Sequence, residues 1–178
     1  MKPIVLLFLK MFVFMGIFFG LLTGLIDYIF DGTYDLQKIV FRMVFFGGFM
    51  SLGFGLSQIY GLKKIGVKEF TADNLSVRQT RVVLSNLGIQ DLFSKLKADP
   101  ETQKLETAEN GNLIIFKTSL SMWSWGEKVT IHARKVSDTT TEYVIESRPK
   151  MRTHMVDSGR NLRNVMRIEK LLTLPCLY

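Results

Sequence analysis

Seven basic residues near the C-terminal end of the chain have a spacing suited to phosphate groups. They are Arg148, Lys150, Arg152, Arg160, Arg163, Arg167 and Lys170. The first three alternate, so in an extended segment their side chains share one side. The other four fall on one side of a predicted final helix. Since a basic residue close to an anionic surface contributes roughly 1 kcal/mol to binding, the pattern predicts a site for anionic lipid headgroups. A solvated face that only orients the protein is the alternative.

Three further residues are candidates for lining a ligand cavity. Glu169 falls near the middle of the apolar side of the predicted final helix, where a carboxylate needs a partner or a proton. It would hold a polar group of a ligand, pair with an arginine of the sheet, or lie at a frayed helix end. Trp123 and Trp125 would share one face of a strand, either as core residues or as a ligand platform.

The sequence contains no residue constellation typical of catalysis. His132 and His154 lack an acidic or nucleophilic partner at a telling spacing, and Cys176 alone cannot form an internal disulfide. We find no phosphate loop, dinucleotide fingerprint or nucleophile elbow. We therefore expect no enzymatic activity, no cofactor and no metal site. The modest net charge of +7 argues against a nucleic-acid partner, as does the membrane anchor that two apolar runs predict.

Two long apolar runs precede these residues. Residues 11–30 contain a single charge, Asp27, and residues 41–60 contain a single charge, Arg42. Twenty helical residues cover roughly 30 Å, the thickness of the hydrocarbon layer of a bilayer. We predict two transmembrane helices, with Asp27 and Arg42 close enough to pair at the loop side. Whether residues 3–9 extend the first helix or lie in the interface is left open.

The distribution of Lys and Arg predicts the orientation of the two helices. The outer ends of the pair carry Lys2, Lys10, Lys63, Lys64 and Lys68, whereas the connecting loop is flanked by Lys38 and Arg42. Because positive residues are retained on the cytoplasmic side, both termini are predicted to be cytoplasmic. The predicted location is a bacterial inner (plasma) membrane.

Small residues recur at a spacing of four in both apolar runs. They are Gly16, Gly20 and Gly24 in the first run and Gly47, Ser51 and Gly55 in the second. Such stripes let helix backbones approach closely in lipid. We predict a tight helical hairpin in which small residues meet at equal depth: Gly16 with Gly55, Gly20 with Ser51, and Gly24 with Gly47. A contact between copies of the chain is the alternative.

The rest of the chain has the periodicity of a water-soluble domain. The predicted elements are a strand at 76–84, a helix from 86 or 88 to 99, strands at 103–109, 112–118, 128–136 and 140–147, and a helix at 157–172. Asn110-Gly111 is a strong signal for a two-residue hairpin turn. The fold class is a membrane α-helical hairpin followed by an α+β domain with an antiparallel sheet. The predicted divisions are 1–62 (hairpin), 63–75 (linker) and 76–178 (cytoplasmic domain).

Part of the soluble domain resembles helix-grip domains of the START and Bet v1-like group. The resemblance rests on a strand ending in Val82-Val83-Leu84, a helix with Asp91-Leu92-Phe93 and Leu96, and the closing Asp99-Pro100-Glu101. It covers residues 76–172 and implies a curved sheet around a long C-terminal helix, with an apolar ligand cavity between them. The resemblance identifies no ligand-binding residue in this chain. The segments 123–127, 147–150 and 157–161 also resemble small bacterial two-helix membrane proteins, a resemblance that implies no activity.

Two functional hypotheses follow from the sequence. In the first, the cytoplasmic domain of an integral inner-membrane protein binds an anionic lipid or another amphiphile at the inner leaflet. In the second, the chain is an accessory or scaffolding subunit that docks on a larger membrane complex or on copies of itself. Membrane lipids and a membrane-protein partner are the predicted interaction partners.

Overall fold

The computed structural model describes residues 2–102, 106–118, 125–151 and 155–173, with 106–110 described by their backbone alone. The chain divides into two compact units, Met1–Leu75 and Ser76–Tyr178. Two of the predicted binding residues, Trp123 and Arg152, lie outside the described residues.

The first unit is a hairpin of two long helices, α1 (Pro3–Asp31) and α2 (Leu36–Lys64), of 29 residues each. Because α1 begins at Pro3, residues 3–9 belong to the first helix. Proline suits the first helical position, since the backbone N–H that it lacks would have no partner there. Asp35 caps α2, its carboxylate accepting hydrogen bonds from the backbone N–H groups of Gln37 and Lys38. A short helix, α3 (Ala72–Leu75), ends the unit.

Both long helices have the length and composition of membrane spans. Their most apolar 18-residue windows have mean hydropathies of 2.5 in α1 and 1.7 in α2. A helix of 29 residues is about 44 Å long, which exceeds the hydrocarbon thickness of a bilayer. Large apolar side chains such as Phe18, Phe30 and Phe45 are exposed on the outside of the hairpin. These features suit a pair of helices surrounded by lipid.

The backbones of the two helices come close together at Gly16 and Gly47. A Cβ atom added to Gly47 would lie 2.7 Å from the carbonyl oxygen of Phe12 and 3.1 Å from the Cα of Gly16. All six predicted packing residues are buried: Gly16, Gly20, Gly24, Gly47, Ser51 and Gly55. The small stripes thus lie inside the hairpin.

The predicted pairing of small residues at equal depth is wrong. Gly16 lies against Gly47 and not against Gly55, a displacement of about two helical turns along α2. Gly55 instead faces the ring of Phe8, whose nearest atoms would lie 2.5 Å from an added Cβ. A large side chain opposite a glycine fills space that two small residues would leave empty, so mixed pairs pack more densely.

Two other contacts join the helices. The guanidinium of Arg42 donates a hydrogen bond of 2.7 Å to the carboxylate of Asp27, so the predicted pair is present. The rings of Phe19 and Phe46 stack with their centroids 3.4 Å apart. Together with the glycine contacts, these pairs determine the register of the hairpin.

The second unit is a five-stranded antiparallel sheet with helices on one face. Its elements are β1 (Gln79–Ser85), α4 (Ile89–Ala98), β2 (Glu106–Asn110), β3 (Leu113–Lys117), β4 (Glu127–Lys135), β5 (Thr141–Pro149) and α5 (Arg160–Thr173). The strand order is β1-β5-β4-β3-β2. Gly111, with φ 57°, supplies the left-handed conformation that the turn between β2 and β3 requires. The predicted order of elements and α+β architecture are confirmed.

The core of this unit lies between the sheet and the two helices. Val165 and Ile168 of α5 and Leu92 of α4 are fully buried in one cluster with the inward-facing residues of the strands. Tyr143 in β5 belongs to the same cluster and donates a hydrogen bond of 2.6 Å to the backbone carbonyl of Leu87. Burial, reinforced by the charge of Asp91, raises the pKa of Tyr143 to about 12.

Candidate functional site: a basic groove at one end of the sheet

Three basic side chains form a row across the open face of the sheet. Lys117 of β3 is paired with Lys128 of β4, and Lys128 is paired with Arg148 of β5. Their neighbours in the chain, such as Val129 and Ser147, are buried on the helix-covered face. Because side chains alternate along a strand, the three cations lie on the opposite face. We call Lys117, Lys128 and Arg148 the basic row.

The basic row is unfavourable for the stability of the sheet. Cross-strand partners have Cβ atoms about 5 Å apart, and like charges in that position destabilise the pairing. At the outer end of the row, the backbone register pairs position 106 of β2 with Lys117. Two adjacent like-charge pairs remain, so the stability of the sheet does not account for the arrangement.

The basic row forms one wall of an open groove of about 770 Å³. We call it the basic groove; it is lined by Val77, Arg78, Lys117, Lys128, Arg148, Pro149, Lys150 and Met151. The ends of four strands therefore bring five cations to one place. The apolar lining residues flank these charges, so the groove offers both charge and apolar contact.

A single described carboxylate offsets part of this charge. Glu146 is one row further along β5, and its Oε1 lies 3.0 Å from Nη2 of Arg78 and 3.7 Å from Nε of Arg148. Among the side chains that the structure describes, no acid forms an ion pair with Lys117 or Lys128. The groove therefore keeps an excess of positive charge facing solvent.

Lys150 is held by the backbone beside the groove. Its ammonium donates a hydrogen bond of 2.8 Å to the carbonyl of Thr118, and its backbone N–H donates one of 3.0 Å to the carbonyl of Gly126. These bonds join the end of β5 to the segments that flank β3 and β4. The position of Lys150 is thus determined by hydrogen bonds as well as by strand pairing.

A buried polar network supports the strand ends from the helix-covered face. Glu127 is 1% exposed, accepts a hydrogen bond from the hydroxyl of Thr118 and lies 3.7 Å from Arg160 of α5. Next to it, the hydroxyl of Ser147 donates a hydrogen bond of 2.6 Å to the side chain of Asn161. The network connects the first turn of α5 to β4 and β5 and restrains the end of the sheet where the groove lies.

Four of the seven predicted basic residues lie at two separate places, and a fifth, Arg160, lies beside Glu127. Arg148 and Lys150 line the basic groove. Arg163 and Arg167 instead extend from α5 towards the end of α4, where Arg167 pairs with Asp99 and both arginines pair with Glu101. Most of the charge on the predicted basic side of α5 is thus offset within the unit.

Three further predicted site residues, Glu169, Lys170 and Trp125, are at least partly exposed. Lys170 is exposed, and Glu169 is partly exposed and not enclosed. Trp125, just before β4, is 59% exposed. The predicted cavity formed by Trp123, Trp125 and Glu169 involves a residue outside the described part of the chain.

Sequence reasoning missed Arg78, Lys117 and Lys128 as members of a site. The three are distant in the sequence and meet only through strand pairing. One signal was available: Asn110-Gly111 fixes a two-residue turn, and alternation along the predicted strands places Lys117 and Lys128 on the polar face. The register between β3 and β4 was still needed to pair them.

Within the part of the chain that the structure describes, no group of three or more His, Cys, Asp or Glu residues is arranged to hold a metal ion. Comparisons with protein-family models, with curated proteins and with solved structures find no match to this chain.

Proposed function

We propose that this chain is an integral protein of a bacterial inner membrane whose soluble unit binds an anionic lipid through the headgroup. The basic row carries the proposal. Two adjacent like-charge pairs across a sheet oppose folding, and a bound anion would convert that repulsion into attraction. A phosphate group is the anion that a cluster of lysine and arginine side chains suits best.

The composition of the basic groove supports a lipid as the source of the phosphate. Val77, Pro149 and Met151 place apolar surface beside the cations, as the glycerol and first acyl carbons of a phospholipid require. A chain anchored by two membrane helices also meets lipid headgroups at high effective concentration. A weak individual site therefore suffices for occupancy.

This location differs from that implied by the resemblance to helix-grip domains. In those domains the ligand lies between the sheet and the C-terminal helix. Here that space holds buried side chains, including Ile131, Tyr143 and Ile145 from the sheet and Val165 and Ile168 from α5. We therefore assign the proposed ligand to the open face of the sheet.

Native mass spectrometry of the full chain, extracted in mild detergent, tests the proposal. We expect adducts with added phosphatidylglycerol and fewer with phosphatidylcholine. The double variant Lys117→Gln/Lys128→Gln should lose most of the phosphatidylglycerol adducts. Because the substitutions remove like-charge pairs, its thermal midpoint should equal or exceed that of the parent.

A matched control removes the same charge from the other end of the sheet. Arg134 and Lys135 are exposed, and each forms an ion pair with a neighbouring acid, Glu142 or Asp138. The variant Arg134→Gln/Lys135→Gln should keep the adducts. Equal losses in both variants would show that net charge alone attracts lipid and would contradict the proposal. A parallel titration with glycerol 1-phosphate separates the sources, since binding as tight as that of the lipid would indicate a free phosphate compound.

The accessory-subunit hypothesis would need a different surface from the one predicted. The small-residue stripes are buried within the hairpin, so a partner would meet the outward row of α2, which includes Phe41, Phe45 and Phe49. Lipid acyl chains would cover the same surface equally well, so its exposure does not require a protein partner. Recovery of a stoichiometric membrane partner, with no lipid adducts at the groove, would favour this hypothesis over lipid binding.

A further inference from the structure

An exposed tryptophan lies at the same end of the sheet as the basic groove. Trp125 is 59% exposed, although indole is among the largest apolar side chains. The next residue, Gly126, accepts a hydrogen bond of 3.0 Å from the backbone N–H of Lys150, which lines the groove. Trp125 is therefore tied by the backbone to the groove wall.

The backbone at Gly126 fixes this position. Gly126 has φ 86°, and an added Cβ would lie 2.6 Å from the carbonyl oxygen of Thr118 and 2.9 Å from the ammonium of Lys150. No other residue type fits this conformation and spacing without a shift of the backbone. The chain thus turns tightly between Trp125 and β4, and the indole remains exposed beside the strand ends.

A second exposed apolar residue lies at this end of the sheet. Met151 follows β5, lines the groove and is 44% exposed. Tryptophan is enriched at membrane–water interfaces because its ring is amphipathic. Basic residues combined with exposed Trp and Met side chains are typical of surfaces that bind anionic bilayers.

We infer that this end of the soluble unit is a membrane-docking edge, with Trp125 entering the interfacial region of an anionic bilayer while the basic groove contacts phosphate groups. The inference rests on the proposed function and adds a surface, a mode of contact and a residue to it. Charge complementarity commits the occupant to an anionic lipid surface. The sequence separates Lys64 at the end of α2 from Arg78 of the groove by a short segment, which keeps the edge within reach of the lipid.

Quenching of Trp125 by brominated acyl chains tests this inference. The chain contains two tryptophans, so Trp123→Phe leaves Trp125 as the only indole. The full chain would be reconstituted in vesicles of brominated phosphatidylcholine and phosphatidylglycerol, with the same composition in both leaflets. We expect a loss of most Trp125 emission and a blue shift of its maximum, relative to vesicles without bromine.

Three controls distinguish docking from proximity to the membrane. Val136 is 56% exposed and lies just beyond the other end of β4, so Val136→Trp in a Trp123→Phe/Trp125→Phe background should give an indole with little quenching. In vesicles of phosphatidylcholine alone, or with Lys117→Gln/Lys128→Gln, quenching of Trp125 should fall towards that level.

Full emission from Trp125 in the anionic vesicles would overturn the inference. If phosphatidylglycerol adducts persisted in the mass spectra, the groove would still bind headgroups and only the docking edge would be wrong. Equal quenching at residues 125 and 136 would also overturn it, because the whole unit would then approach the bilayer without a preferred edge. Loss of the adducts in every lipid tested would instead contradict the proposed function.

Discussion

Single glycines differ in how strictly they are required in the hairpin. At Gly16 and Gly47 an added Cβ would meet backbone atoms of the other helix, at 2.7 Å in both cases. At Gly20 the nearest atom would belong to the side chain of Met43, which has rotatable bonds. A backbone atom cannot move aside without moving its helix, whereas a methionine can change rotamer. The predicted stripes treated these glycines as equivalent, and the structure ranks them.

The substitution Gly47→Leu should therefore separate the two helices. Overpacking a close contact costs about 1 to 3 kcal/mol. A leucine side chain is equally well buried when it faces lipid, so its hydrophobicity gives no energy that would offset the clash. The measurement is disulfide crosslinking in membranes between Gly24→Cys and Ile39→Cys, which face each other, in a Cys176→Ser background. Crosslinking should be efficient in the parent and sharply reduced by Gly47→Leu.

Gly53 provides the matched control. It lies in the same helix, and an added Cβ would have no atom within 4 Å, so Gly53→Leu should leave crosslinking unchanged. If Gly47→Leu also left it unchanged, the observed contact of Gly16 with Gly47 would not exist in the membrane. Efficient crosslinking between residues 24 and 47 instead would restore the pairing at equal depth.

At the scale of elements, an ionic clamp joins α4 to α5. Asp99, the C-cap residue of α4, accepts a hydrogen bond of 2.6 Å from Nε of Arg167 and a second one from its Nη2. Burial alone would raise the pKa of Asp99, but hydrogen bonds from Arg167 and from the backbone N–H of Glu101 outweigh it and lower the pKa below its ordinary value of 3.8. The second pair, Arg163 with Glu101, is about half exposed on both sides.

The clamp predicts a pH-dependent stability of the soluble unit. Because the folded-state pKa of Asp99 is lowered, its stabilising contribution is complete above the unfolded value near 4 and is lost as the pH falls through the folded value. Asp99→Asn should lower the thermal midpoint of the full chain at neutral pH and reduce its further fall as the pH drops below about 4. Circular dichroism in detergent measures both.

Arg163→Gln serves as the control for this clamp. Exposed ion pairs contribute about 0 to 1 kcal/mol, whereas removing one partner of a buried pair leaves an uncompensated charge. Arg163→Gln should therefore change the midpoint far less than Arg167→Gln does. Equal shifts of the midpoint in the two variants would mean that the pair of Arg167 with Asp99 is no more protected from solvent than the pair of Arg163 with Glu101.

At the scale of the whole molecule, elements followed from local patterns and the candidate site did not. Periodicity and the Asn110-Gly111 turn predict the strands and helices to within a few residues, because both signals depend on neighbours in the chain. The basic row depends on strand pairing between β3, β4 and β5. Similarly, the partners of Arg167 follow from how α5 packs on α4. Alternation along the strands places Lys117 and Lys128 on the polar face, but neighbouring residues alone do not show which side chains meet.

The orientation of the chain in the membrane is the remaining prediction at this scale. It rests on the excess of lysines at the outer ends of the two helices, since positively charged segments stay on the cytoplasmic side.

Cysteines at two exposed positions test this orientation in a Cys176→Ser background. They are Tyr34→Cys in the helix connection, which spares the cap at Asp35, and Thr139→Cys in the turn between β4 and β5. In intact cells an impermeant thiol reagent should label the cysteine at position 34. It should label the one at position 139 only after the cells are permeabilised, because the predicted topology keeps the soluble unit inside. The reverse pattern would place the basic groove on the outer side of the membrane and would contradict the predicted topology and, with it, binding at the inner leaflet.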